Sequence, residues 1–294
     1  MKQLVVISGK GGTGKTSIVA CFAALSQNRV LADCDVDAAD LHLVMDARVR
    51  HRELFRSGKK ASIVSEKCVD CGECERLCRL GAVIRNGDAK GKDSDSLHID
   101  PIVCEGCGVC YHFCPADAIA FGETVSGEWF VSETRCGPMV HARLGIAQGN
   151  SGKLVSVVRS QARGLALKHG LDLIIIDGPP GIGCPVIASV TGTDLVLVVT
   201  EPTLSGVHDL ERVRQLASHF RTRTVACINK CDLNPKMTAH IEEHCEETGM
   251  EVVGRIRYDK SVTLAQIAKT SVVEYSDSPI SLEIRQMWEH IGAP

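Results

Sequence analysis

Three features are missing from this chain of 294 residues. It has no basic surplus: 33 Lys and Arg against 36 Asp and Glu leave a formal charge of −3, and no Lys/Arg block is built for nucleic acid or anionic lipid. No apolar run approaches membrane-spanning length. Met1-Lys2-Gln3 enters the first strand without an h-region or small-residue cleavage site. The last helical stretch, with Leu282, Ile284 and Trp288, lacks the basic polar face of a membrane-surface helix. These absences argue against DNA and membrane insertion and predict a cytoplasmic protein. Cysteine, by contrast, is plentiful: fifteen residues, an odd count, eight of them in two evenly spaced runs. That pattern predicts metal rather than disulfides.

The apolar run Leu4-Val5-Val6-Ile7 is followed by Ser8-Gly9-Lys10-Gly11-Gly12-Thr13-Gly14-Lys15-Thr16-Ser17 and an alanine-rich helical pattern. Strand, glycine loop and helix N-terminus aim backbone N–H groups at one point, where the helix dipole adds partial positive charge. Gly9 and Gly14 occupy the two glycine positions of GxxxxGK[ST]. Lys15 is expected to reach the β- and γ-phosphates, and Thr16 to offer its hydroxyl to Mg²⁺. Downstream, Arg29-Val30-Leu31-Ala32-Asp33 reads as the next parallel strand, ending in Asp33-Cys34-Asp35-Val36-Asp37. Acids at that point hold Mg²⁺ or orient an attacking water. Capping or exposure is the expected role of Asp37 and Asp40.

Asn150-Ser151 is expected to cap a helix with Leu154, Val157, Val158, Ala162 and Leu165 on its apolar face. Leu171 to Asp177 is a continuous apolar strand ending in an acid, as a Walker B strand should, so Asp177 is expected to bind Mg²⁺ through water. Asp194 to Thr200 reads as another buried strand, with a helix from about 206 to 220. Val225 to Ile228 leads into Asn229-Lys230-Cys231-Asp232, which resembles a base-reading NKxD loop; Asn229 is the expected purine contact. Alternating strands and helices predict an α/β fold, a mostly parallel sheet flanked by helices.

The second lysine of the loop, Lys10, is not needed to hold the β-phosphate. The form KGGTGKT resembles the deviant phosphate loop of the MinD, ParA, Mrp and nitrogenase iron-protein group of ATPases. That resemblance implies ATP rather than GTP, and a nucleotide-sandwich dimer in which Lys10 reaches the partner's nucleotide, the partner being a second copy or a related ATPase. It also implies that Asp35, in the DxD of the first switch, positions the hydrolytic water, and that Gly178-Pro179-Pro180-Gly181 is the second switch. In the nitrogenase iron protein a cysteine at the place of Cys184 binds a cluster shared between subunits. This chain offers no second cysteine near Gly149, so a buried, inert thiol is the expectation for Cys184. Cys34, Cys227, Cys231 and Cys245 read as structural.

After a basic stretch from Arg48 to Lys60 the composition changes. Cys68, Cys71, Cys74 and Cys78 are spaced CxxCxxCxxxC; Cys104, Cys107, Cys110 and Cys114 repeat the spacing, followed by Pro115. Zinc needs only four ligands per site and gives no reason for the third spacing or the proline. The pattern resembles the two-cluster ferredoxins, in which the fourth cysteine of each run ligates the other cluster. The resemblance implies two 4Fe–4S clusters, one on Cys68, Cys71, Cys74 and Cys114, the other on Cys104, Cys107, Cys110 and Cys78. Arg79 replaces the proline after Cys78, and a cation there is expected to raise the potential of the nearer cluster. Gly87 to Ser96 reads as an exposed loop. The expected organisation is an ATPase domain over 1–61 and 123–294, interrupted by a ferredoxin module over 62–122. The implied function is ATP-coupled electron transfer to an unidentified redox partner; the alternative is Mrp-type cluster assembly, which hands clusters to an acceptor protein.

Overall fold

Runs such as Leu173-Ile174-Ile175-Ile176 and Leu195 to Val199 have no polar alternation, so both their faces must be covered, and a parallel sheet between two helical layers does this. The computed structural model describes residues 1–85, 96–145, 149 and 151–292. The chain begins with β1 (Lys2–Ser8), α1 (Lys15–Leu25), β2 (Arg29–Asp33), the short α2 (Leu41–Val44) and β3 (Arg48–Ile63). Next come α3 (Glu73–Leu77), β4 (Val83–Arg85), β5 (Leu97–Ile99), α4 (Val109–His112) and β6 (Ile119–Thr134). Then follow β7 (Gly137–Leu144), α5 (Ser151–His169), β8 (Leu173–Pro180), α6 (Cys184–Val190), β9 (Leu195–Thr200) and α7 (Leu204–Ser218). β10 (Arg223–Asn229), α8 (Pro235–Glu247), β11 (Glu251–Ile256), α9 (Ser261–Ile267), α10 (Val272–Tyr275) and α11 (Pro279–Ile291) end the fold.

Strand order in the large sheet is β11-β10-β9-β1-β8-β2-β7-β6-β3, and every pairing from β11 to β7 is parallel. The chain divides into two compact units: Met1–Glu53, Glu128–Leu144 and Ser151–Pro294 form the first, Leu54–Gly127 with Gly145–Asn150 the second. The expected boundaries at 61/62 and 122/123 fall inside β3 and β6, because the change of composition marks where the cysteines start rather than where the strands end.

In the first unit Leu4 to Ile7, Leu31, Ile175 and Ile176 are fully buried. α1 covers one face with Val19, Ala20 and Phe22, whose ring lies 4.7 Å from that of Trp288 in α11. Burying a side chain of that size contributes about 1.5–3 kcal/mol. α7 opens at Leu204, within two residues of the expected start at about 206. α5 buries Leu154, Val155, Val158, Ala162 and Ala166, so Val155 and Ala166 take the inward places expected of Val157 and Leu165. The expected capping role of Asn150 lies outside the described residues, as does the expected loop over 87–95.

The second unit is thinly cored. Its buried apolar side chains are small or few: Phe55, Ala61, Ala82, Val83, Leu97, Ala118 and Ile119 among the described residues. β4 and β5 form a separate antiparallel pair with Val83 opposite Ile99 and Arg85 opposite Leu97. α3 and α4 repeat one another, each entered through a left-handed glycine, Gly72 (φ 73°) and Gly108 (φ 76°). No described helix is long and apolar enough to cross a membrane.

Candidate functional site

The phosphate loop spans the gap between β1 and α1. Gly14 has φ +91°, and a Cβ there would sit 2.4 Å from Nδ2 of Asn229; a Cβ on Gly9 would fall 2.1 Å from that of Asp209. Neither place admits a side chain, which is why the motif needs glycine at both. Beyond Gly14 the first turn of α1 has no side-chain cap, so its N–H groups face the cleft.

Lys15 is buried, with Nζ 3.4 Å from Oδ2 of Asp35. Thr16 donates its hydroxyl to Oδ2 of Asp177 at 2.7 Å, while Oδ1 of Asp177 is buried without a partner. Parallel register sets Asp33 directly beside Asp177, and Asp33 accepts the backbone N–H of Asp35 (3.1 Å) and of Leu41 (3.2 Å). Burial, then the charges of Asp177 and Asp35, push the Asp33 carboxyl well above its ordinary range. Burial likewise raises Asp177 to about 6, against the opposing pull of Lys15 and Thr16. Asp35 and Asp177 thus face one ammonium, and Asp33 lies beside Asp177. That imbalance, with the orphaned oxygen of Asp177, fits a hard divalent cation such as Mg²⁺ next to a phosphate.

A cavity of about 440 Å³ lies over this group, lined by Gly11, Gly12, Gly14, Lys15, Thr16, Ser17, Asp35, Asp37, Asp40 and Pro179 among others. Through Gly12, Gly14, Ser17 and Gln266 it shares walls with a second cavity of about 230 Å³, bounded by Asn229, Lys230, Arg257, Tyr258 and Asp259. Asn229 borders this second cavity, but its Nδ2 donates to the Thr13 carbonyl at 2.7 Å and its Oδ1 accepts the N–H of Lys230. It ties the two loops together. Asp232 accepts the N–H of Tyr258 at 2.7 Å, and Gln266 donates to Ser17 Oγ at 2.9 Å. Arg257, Tyr258 and Gln266 carried no motif in the sequence; only the return of β11 beside β10 brings them here. Thr13, a residue of the motif, has a buried hydroxyl with no partner. Lys10 lies outside the cavity walls, near the start of α7, with Nζ 3.4 Å from Thr203 Oγ1 and from Ser205 Oγ.

The eight spaced cysteines all lie in the second unit, and all fifteen cysteines of the chain are free thiols. Two hollows divide the eight between them. One, of about 810 Å³, is lined by Cys78, Cys104, Cys107 and Cys110, with Arg79 in the same wall. The other, of about 20 Å³, is lined by Cys68, Cys71, Cys74 and Cys114. The fourth thiol of each run accepts a backbone N–H four residues on, Ala82 to Cys78 Sγ and Ala118 to Cys114 Sγ, both at 3.3 Å. Burial works to raise the Cys78 thiol, but the backbone N–H groups of Leu80, Ala82, Val83 and Gly81 outweigh it and bring the thiol down. Burial raises Cys74 and Cys110. Among the described residues no three His, Cys, Asp or Glu converge on a single-ion site.

Cys184 departs from its expected burial: it is exposed. It is the first residue of α6, and that helix turns only Val186, Ser189 and Val190 inward. Cys34, Cys227 and Cys245 are buried and Cys231 is half-buried.

The CobQ/CobB/MinD/ParA nucleotide binding domain model matches residues 4–272. The chain belongs to that family. It is therefore a ParA/MinD-type P-loop ATPase, and its fold agrees with this: the septum site-determining protein MinD of Pyrococcus horikoshii, solved with Mg-ADP, superimposes with a TM-score of 0.58 at 14% identity, over 99% of this chain and 96% of that one. An uncharacterised protein of Methanocaldococcus jannaschii, MJ0578, is 35% identical over 242 residues, 79% of each chain. A 7Fe ferredoxin of Hydrogenibacillus schlegelii is 31% identical over 71 residues, 24% of this chain and 82% of the ferredoxin.

Proposed function

We propose that this member of the family couples ATP binding and hydrolysis to electron transfer through two 4Fe–4S clusters held by a ferredoxin module inserted at residues 62–122. The observation that carries the reading is the sorting of the eight thiols. The two hollows take the crossed sets that spacing and ferredoxin resemblance require, Cys68, Cys71, Cys74 with Cys114 and Cys104, Cys107, Cys110 with Cys78. The clusters would supply one-electron chemistry at low potential; the N–H groups on Cys78 and Cys114 stabilise negative charge on sulfur.

On the nucleotide side Lys15 neutralises the β- and γ-phosphates, Thr16 and Asp177 hold Mg²⁺, and Asp35 orients the attacking water. Backbone N–H groups of Gly9 to Ser17 cradle the phosphates. The Asp232 carboxylate accepts Tyr258 N–H through Oδ1; the doubled-lysine phosphate loop is what favours ATP over GTP. Two copies, or this chain with a related ATPase, pair around nucleotide, with an unidentified protein as electron acceptor. Anaerobic reconstitution is expected to give about eight irons per chain. Cluster oxidation by an acceptor is expected to differ between ATP, ADP and no nucleotide; identical rates in all three reject the coupling.

The exposed thiol of Cys184 favours a second reading, a Mrp-type carrier that assembles clusters and passes them to an acceptor. A carrier would bind iron beyond eight per chain and lose the surplus to an apo-acceptor, and Cys184→Ser would abolish that surplus alone.

A further inference from the structure

Glu201 follows β9 and belongs to no motif read from the sequence. Its carboxylate joins two cations from different loops. Oε2 lies 3.3 Å from Nζ of Lys10 in the phosphate loop, and Oε1 pairs with Nζ of Lys230 beside the second cavity. Lys230 also donates to the Gly12 carbonyl at 3.2 Å. The Glu201 side chain is 13% exposed, against 35% for Lys10 and 29% for Lys230, so the acid sits beneath both ammonium groups. Its backbone is fixed as well: the Glu201 carbonyl accepts Thr203 N–H at 2.7 Å and lies so close to Gly206 that a Cβ there would meet it at 2.2 Å. The acid is thereby anchored to the start of α7 while holding the two loops.

Two ammonium groups in one place repel unless an anion stands between them. Glu201 is that anion, and without it Lys230 loses the partner that keeps it over Gly12. Gly12 and Gly14 of one loop and Asn229 and Lys230 of the other all line the second cavity, and the two loops touch through Asn229 Nδ2 on the Thr13 carbonyl. Resting on the assignment of this cleft to nucleotide, we propose that Glu201 is a positioning residue that latches the phosphate loop to the Asn229–Lys230 loop and so sets the rate of nucleotide release.

The test is stopped-flow release of a fluorescent ADP analogue from the full chain and its Glu201→Gln, Lys230→Met and doubly substituted variants. Each single change is expected to speed release about tenfold, the size of a lost charge-assisted contact in a half-buried setting. The double variant is expected to release no faster than either single one, because both act on one latch. A merely structural contact would lower the melting midpoint of the nucleotide-free chain, by roughly the few degrees such a loss costs a chain of this size, and leave the release rate unmoved. Should Glu201→Gln fail to fold, Glu201→Asp replaces it, with a smaller acceleration in the same direction. Release within twofold of wild type, or a hundredfold effect in the double variant, overturns the latch while leaving the nucleotide assignment standing. Absence of ADP and ATP binding in the wild-type chain overturns the assignment itself, and the latch with it.

Discussion

The two compact units solve the problem of building a site in opposite ways. In the first, a parallel sheet with fully buried strands fixes Asp33, Asp177 and the phosphate loop before any ligand arrives: register alone sets Asp33 beside Asp177. In the second, few apolar side chains are buried and the eight thiols line two hollows rather than meeting one another. Packing supports the first site. The second unit buries few apolar side chains among its described residues, and under the proposed reading the clusters its thiols would hold supply part of its folding free energy, as metals do in other small domains.

Under that reading, the sharpest way to break this contrast is to withhold iron. Chelation, or Cys104→Ala, is expected to abolish the cooperative melting of the second unit while the first keeps its own transition, resolved by calorimetry. A single unchanged transition would show that the cysteine unit stands on its own core. Lys15→Ala is the matching cut in the first unit: turnover of ATP falls about a thousandfold, ~4 kcal/mol of transition-state stabilisation, and the melting temperature falls too, because the variant leaves Asp35 and Asp177 without the ammonium that faces them. Turnover within about tenfold of wild type, measured where the variant is folded, would remove Lys15 from the phosphate site.

A smaller effect belongs to pH. His141 in β7 is buried, stacked between Phe130 (ring centroids 4.9 Å apart) and His42 (5.2 Å), with Nε2 2.9 Å from Ser132 Oγ. Burial first, then His42, pushes its pKa down to about 4. The unfolded imidazole titrates near 6.5, so between those values the unfolded chain takes a proton that the folded chain refuses. Stability from this group is complete above pH ~6.5 and falls as pH drops, by about 3 kcal/mol at pH 4. His141→Phe is expected to flatten that limb of the pH–stability curve; an unaltered slope assigns the loss to other groups.

Much of the first unit was legible in the sequence because its signals are local. Continuous apolar runs gave the strands, and a glycine-rich turn between strand and helix gave the phosphate loop. What was not legible depended on which segments the sheet brings together. Arg257, Tyr258 and Gln266 reach the cleft only because β11 returns beside β10. Lys10 and Lys230 are 220 residues apart in sequence yet share one acid that no motif names. Cys184 was misread because the general burial of free cysteine gave way to its place at the exposed start of α6. The cysteine spacing was legible, whereas the unequal size of the two hollows was not: about 810 Å³ against about 20 Å³ depends on how α3, α4 and the β4–β5 pair close over each set.

The adjacent carboxylates of Asp33 and Asp177 carry a consequence for handling the molecule. Desolvated acids side by side make the ligand-free chain weaker than its buried strands imply, and a divalent cation held at Asp177, as proposed, would relieve that strain. Shelf life in storage buffer should therefore follow magnesium and nucleotide together, and purification through EDTA would select for whichever molecules had kept their cargo.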